Sequence, residues 1–124
     1  MYITILAMEK LHGPKPLVLN GIVKLHKEPE NKYDSEAIAC EMRYYGKIGY
    51  VSNSTHTVAT GTMSAGRLYD KISDEYFARI EFIIGSNAIA KVLTTEELTK
   101  EIENKESDVH FICEDLSKVE LKEE

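Results

Sequence analysis

Short apolar runs with period-two alternation, separated by Gly, Pro and Asn punctuation, fill most of the first 93 residues. YITILAMEKL (2–11) opens β-branched and apolar and predicts a first strand, ended by the turn HGPKP (12–16). LVLNGIVKLHK (17–27) alternates loosely and predicts a second, with Gly21 marking a bulge or a barrel bend. After the turn EPENKYDSE (28–36), AIACEMRYY (37–45) predicts a third strand. Gly46 closes a short connection into a fourth, KIGYV (47–51), so these two form a hairpin. YFARIEFIIG (76–85) sets Phe77, Arg79 and Glu81 against Ala78, Ile80 and Phe82 as a long half-buried strand. AIAKVL (88–93) follows after Ser86-Asn87, which suits a hairpin turn.

The pattern changes character twice. Residues 53–72 open with small hydroxyl residues, and within them SAGRLYDKI predicts a short helix capped by Ser64, with Leu68 and Ile72 on one face. From Thr94 or Thr95 as cap, TEELTKEIENK (95–105) predicts a helix with acids in its first turn, where the macrodipole favours them. VHFIC (109–113) then predicts a final strand, and LSKVELKEE (116–124) a polar, frayed end. Short strands with glycine-marked bends favour a small closed or partly open β-barrel, with a sandwich as the alternative.

Composition adds two constraints. Hydrophobic residues make up 43% and charged residues 29% of 124, a soluble single-domain balance, and no apolar run approaches the ~20 residues that cross a bilayer. The N-terminus lacks a basic leader, so the expected location is cytoplasmic, with no membrane contact. The net charge is −6, but residues 1–93 hold eleven Lys and Arg against ten Asp and Glu, whereas residues 94–124 hold four against eleven. The acidity therefore belongs to the last quarter, and a local basic face remains open before it. Cys40 and Cys113 sit in apolar alternating runs and read as buried thiols. The four histidines are scattered, so neither a metal site nor a cofactor is expected.

The turn before the third strand carries the candidate chemistry. Pro29, Asn31 and Asp34 are turn formers, and Asp34 is placed to accept the N–H of Glu36 or Ala37. Glu28, Pro29, Asn31, Tyr33, Asp34, Ala37 and Ile38, followed by Gly46, Lys47, Ile48, Gly49 and Tyr50, also resemble the two motifs of the HIRAN domain, of the kind found in stand-alone bacterial proteins. The resemblance covers roughly residues 2–93. It implies a mainly β fold with minor α: a small OB-like barrel of about six strands with one internal helix over residues 1–93. Residues 94–124 then form an acidic C-terminal extension, helix plus short strand or tail.

The resemblance also implies a non-catalytic module for single-stranded DNA, reading 3′ ends in a repair or replication context. Tyr33 matches the tyrosine that packs on a terminal base, and Asp34 the aspartate that accepts a hydrogen bond from the terminal 3′-hydroxyl. An aromatic face stacks on any base, and a carboxylate repels phosphate but accepts a hydroxyl proton. Glu9 and Lys10 stand where DNA-binding members carry an arginine–tyrosine pair. Asn31, Lys32, Lys47, Tyr50, Lys10 and Arg67 complete the candidate interface. Lys27 and Arg43 are further candidates for phosphate. Tyr44 and Tyr45 point to opposite faces of a strand, so one at most adds stacking surface. Ser52 or Ser54 with His56 and Asp34 can be drawn as a triad, but no nucleophile elbow surrounds either serine, and no catalysis is expected. The alternative function is a protein-interaction or regulatory module that keeps the fold without DNA. The acidic residues 94–124 are read as a packed helix, a docking element for a protein partner, or a mimic that covers the groove.

Overall fold

In the computed structural model, which describes residues 1–122, six strands close into one antiparallel barrel. They are β1 (Tyr2–Ala7), β2 (Ile22–Lys27), β3 (Ile38–Met42), β4 (Gly46–Val51), β5 (Glu75–Ile84) and β6 (Asn87–Val92), in the order β1-β4-β3-β2-β5-β6, with β6 paired back to β1. Among the described residues, closure leaves no unpaired strand edge. α1 (Ala65–Leu68) runs on into a 3-10 turn, Tyr69–Lys71, between β4 and β5, and Ser64 caps it by accepting the N–H of Arg67. Ile3, Ile5, Val23, Leu25, Ile38 and Ile48 belong to one core, which Leu68 and Ile72 from the α1 segment join. Cys40 and Cys113 are buried free thiols, and burial pushes both upward in pKa.

Local turn chemistry trims the strands relative to the alternation. β1 stops at Ala7 because the Met8 carbonyl accepts the N–H groups of Leu11, His12 and Gly13. β2 begins only at Ile22. Val18–Gly21 form a turn with Asn20 at φ 67°, leaving Val18 and Leu19 exposed. Gly21 stands at the bulge its position suggests: the Asn20 N–H donates to the Ile80 carbonyl at 2.7 Å and the Gly21 carbonyl accepts the Ile80 N–H at 2.9 Å, so two residues face one. The Gly21 N–H donates to the Val18 carbonyl, and a Cβ there would sit 2.9 Å from both Val18 and Met42 side chains. Two further register shifts fall between Cys40 and Glu41 and between Ile80 and Phe82. Because of the second, Phe82 is 58% exposed although Ile80 is fully buried. Tyr44, at φ 76°, and Tyr45 lie in the β3–β4 turn and not on opposite faces of a strand. The β5–β6 hairpin turns on Gly85-Ser86.

The C-terminal segment is bound to the outside of the barrel. Thr94, not Thr95, caps α2 (Thr95–Glu103): its hydroxyl accepts the Glu97 N–H at 3.1 Å, and the Glu97 carboxylate accepts the Thr94 N–H at 2.9 Å. Glu97 also pairs with Arg79 of β5 at 2.7 Å and Lys91 of β6 at 3.2 Å. The strand expected over 109–113 is instead α3 (Val109–Ile112), whose N–H groups bond back to Ser107 and Asp108. A closed barrel offers a seventh strand no edge to pair with. The tail is not frayed up to Lys122. Ser73 donates its N–H to Glu120 and receives that of Glu120 on its hydroxyl, Ile72 bridges Leu121, and the Lys122 N–H reaches the Lys71 carbonyl at 2.8 Å. Glu123 and Glu124 lie outside the described residues.

Glu97 makes a testable link to pH. Burial would raise its pKa, but the Thr94 N–H and the Lys91 and Arg79 cations outweigh burial and hold it at about 2, against 4.5 for a free glutamate. A folded pKa below the unfolded one gives stability that is present above pH 4.5 and lost as the pH falls toward 2. Glu97→Gln is therefore expected to lower the melting temperature at neutral pH and flatten its fall between those two pH values. An acid limb unchanged by the substitution would remove Glu97 from this role.

Candidate nucleic-acid interface

An open groove of about 680 Å³ runs along the β1–β4 wall. Leu6, Met8 and, from β4, Lys47, Tyr50 and Val51 line it. Lys10 and Leu11 stand at one end. The β2–β3 turn, with Asn31, Tyr33 and Asp34, closes the other end against Ser52–Ser54. None of residues 94–122 lines it, because the extension packs on β2, β5 and β6.

The β2–β3 turn is built from its own side chains. The Asn31 side-chain oxygen accepts the N–H groups of Tyr33 at 2.9 Å and Asp34 at 3.1 Å, while its amide donates to Glu28. Asp34 Oδ1 accepts the Glu36 N–H at 2.9 Å, the Asx-turn contact that the spacing implies. Asp34 Oδ2 accepts from Asn53 Nδ2 at 2.8 Å, and Asn53 Oδ1 accepts the Gly66 N–H at 2.8 Å. The turn is thereby tied to β4 and α1. Tyr33 projects from it, 88% exposed, with the Lys32 ammonium 5.8 Å from its ring centre. A protruding aromatic beside a fixed carboxylate presents a flat apolar face and a hydrogen-bond acceptor side by side.

Glu28 organises the middle of the groove. Its carboxylate accepts from Lys47 Nζ at 2.8 Å and from the Tyr50 hydroxyl at 2.7 Å, and Lys47 also donates to the Tyr50 oxygen. Burial would raise the Glu28 pKa, but Lys47, Tyr50 and Asn31 bring it down to about 2, and the same pair holds the Lys47 ammonium well above its ordinary value. Lys47 is thus a cation already committed to a carboxylate, with the Tyr50 ring held beside it. Lys10 and Lys32 carry no ion pair among the described residues. Glu9 lies against Gly13, away from the groove lining.

Of the residues singled out in the sequence, Asn31, Tyr33, Asp34, Lys47, Tyr50 and Lys10 meet in this groove, and Lys32 stands beside Tyr33. Arg67 does not line it. It faces an adjoining hollow of about 390 Å³ walled by hydroxyl residues of the 53–64 loop, with Asn53 and Ser54 shared between the two. Lys27 is spent internally, donating to the Ile72 carbonyl at 2.8 Å. Arg43 is ion-paired with Asp108 and stacked on Phe111 at 3.6 Å, at the extension. The drawn triad does not assemble: Asp34 is held by Asn53 and Glu36, and the Ser52 hydroxyl by Thr57. The contact of Asn53 with Asp34 escaped sequence reasoning, since the two residues lie 19 apart in the chain.

The family model for the HIRAN domain matches residues 1–89. The crystal structure of the HIRAN domain of human HLTF is similar in fold, with a TM-score of 0.53 at 15% sequence identity, over 73% of this chain and 69% of that one. No curated protein matches. Among the described residues no helix is long and apolar enough to cross a membrane.

Proposed function

The chain belongs to the HIRAN domain family, known as a DNA-binding module, and from that premise we propose that it binds single-stranded DNA in the β1–β4 groove and reads its 3′ end. One observation carries this: Tyr33, 88% exposed, stands at the groove end beside a carboxylate whose two oxygens each hold one N–H donor. Each oxygen keeps a lone pair for a further donor. A terminal base stacks on Tyr33 while its 3′-hydroxyl donates to Asp34. A 3′-phosphate brings negative charge and no donor, and is turned away. Lys10 and Lys32 supply the phosphate contacts. The role is non-catalytic, in DNA repair or replication, within the cytoplasm.

Fluorescence anisotropy with short labelled strands ending in 3′-OH or 3′-phosphate, at two salt concentrations, tests the reading. The expected result is tighter, salt-sensitive binding of the 3′-OH strand. Tyr33→Ala should weaken binding of the 3′-OH strand by about 1–3 kcal/mol, and Asp34→Ala should remove the preference for the hydroxyl. Parent-like behaviour of both variants would count against these roles. A second reading, a protein-interaction module on the same fold, is favoured by the commitment of Lys47 to Glu28, which leaves few free cations in the groove. Absence of any binding at low salt would select it.

A further inference from the structure

We infer that Asn53 is the positioning residue of this site: it fixes the Asp34 carboxylate as an acceptor facing the groove, and so sets the discrimination between a hydroxyl and a phosphate end. The inference rests on the end reading proposed above. Asn53 stands just past the end of β4 and makes two hydrogen bonds, each of 2.8 Å. The partner at Gly66 is a backbone N–H, which can only donate. The amide oxygen must therefore face α1, and the amide nitrogen must face Asp34. The backbone of α1 thus dictates which end of the amide the carboxylate meets. Gly66 makes this approach possible, since a Cβ there would lie 2.7 Å from the Glu36 carboxylate and 3.2 Å from Asn53 Oδ1.

Without Asn53, Asp34 would keep only the Glu36 N–H, a contact within its own turn that leaves the second oxygen free to swing. With it, both oxygens are bracketed by donors. Whatever binds next must bring a hydrogen of its own. A free sugar hydroxyl does so; an ionised phosphate does not. Asn53 also forms part of the wall between the groove and the hollow that holds Arg67, so it stands where a strand end would stop.

Two substitutions separate positioning from simple loop support. Asn53→Asp keeps an acceptor for the Gly66 N–H and removes the donor to Asp34; Asn53→Ala removes both. Affinities for matched 3′-OH and 3′-phosphate strands give a preference ratio for each chain, with thermal melting as the check on folding. The expected result is that both variants lower the ratio by about tenfold or more, the worth of a hydrogen bond to a charged group. In the unsubstituted chain, the Asn53 side-chain NH₂ signal in a ¹⁵N–¹H spectrum should move with the 3′-OH strand and stay in place with the 3′-phosphate strand. An Asn53→Asp chain that keeps the parent ratio while Asn53→Ala loses it would overturn the inference, as would an NH₂ signal indifferent to the strand end. A parent chain with no 3′-OH preference would instead overturn the end reading itself.

Discussion

Gly49→Ala should break the β1–β4 seam and lower stability by about 3 kcal/mol or more, from the clash of an added methyl group with backbone. A Cβ at Gly49 would lie 1.9 Å from the Leu6 carbonyl oxygen, 2.9 Å from the Leu6 carbonyl carbon and 3.1 Å from the Ala7 Cα. All three are main-chain atoms of the paired strand, so no rotamer change relieves the contact. The seam is also short, with registered pairs Ile5–Val51, Leu6–Tyr50 and Ala7–Gly49. Separating the strands there opens the barrel and pulls apart Leu6 and Tyr50, registered neighbours that both line the groove. Gly46→Ala is the internal control. Gly46 has φ 71° and open space within 4 Å of where a methyl group would stand, so its substitution carries only left-handed backbone strain, about 1 kcal/mol. Urea unfolding of the two variants measures the difference. A Gly49→Ala chain as stable as Gly46→Ala would mean that β1 can shift to make room.

The order of those two glycines shows what the sequence discloses. The spacing from Gly46 to Tyr50 marks a hairpin, and the alternation in β3, β5 and β6 marks strands, because these are local consequences of side-chain period and turn chemistry. Residues 8–11 and 17–21 mislead for an equally local reason. Leu11, Val18 and Leu19 are apolar, yet the chain there is bent by the Met8 carbonyl and by Asn20, and these side chains face solvent. Val109 to Cys113 mislead for a global one. Their alternation suits a strand, but barrel closure elsewhere in the chain has already used every edge.

The candidate site divides the same way. Asn31, Tyr33 and Asp34 form a turn within a few residues, so their arrangement follows from their order. The pairing of Lys47 with Glu28 and of Asn53 with Asp34 each spans 19 residues, and only the fold decides it. That difference changes the chemistry of the groove. Counted from sequence, Lys47 is a phosphate ligand; seen in place, it is half of an ion pair that also fixes Tyr50.

Removing residues 94–124 tests the remaining alternative, that the acidic segment competes with DNA. Competition would make the shortened chain bind more tightly. The packing argues for a different outcome. Leu98, Val109 and Cys113 are buried in the same core as the barrel, and consecutive burial of Tyr76, Phe77 and Ala78 means that both faces of β5 are covered. Losing the segment uncovers the outer face of β5 and part of β2, and leaves Arg79 and Lys91 without Glu97. Each large side chain lost from such a site is worth about 1.5–3 kcal/mol of burial, against a total stability of about 5–15 kcal/mol. The chain ending at Leu93 is therefore expected to lose cooperative melting and bind a hydrophobic dye, with DNA binding reduced. Glu103→Gln with Glu106→Gln isolates charge from packing, because both side chains are exposed. That double variant should melt like the parent and bind DNA alike at physiological salt, where exposed charges beyond about 8 Å are screened. A folded 1–93 chain with higher affinity would restore the competing role of the extension, since its burial would then be incidental to the barrel.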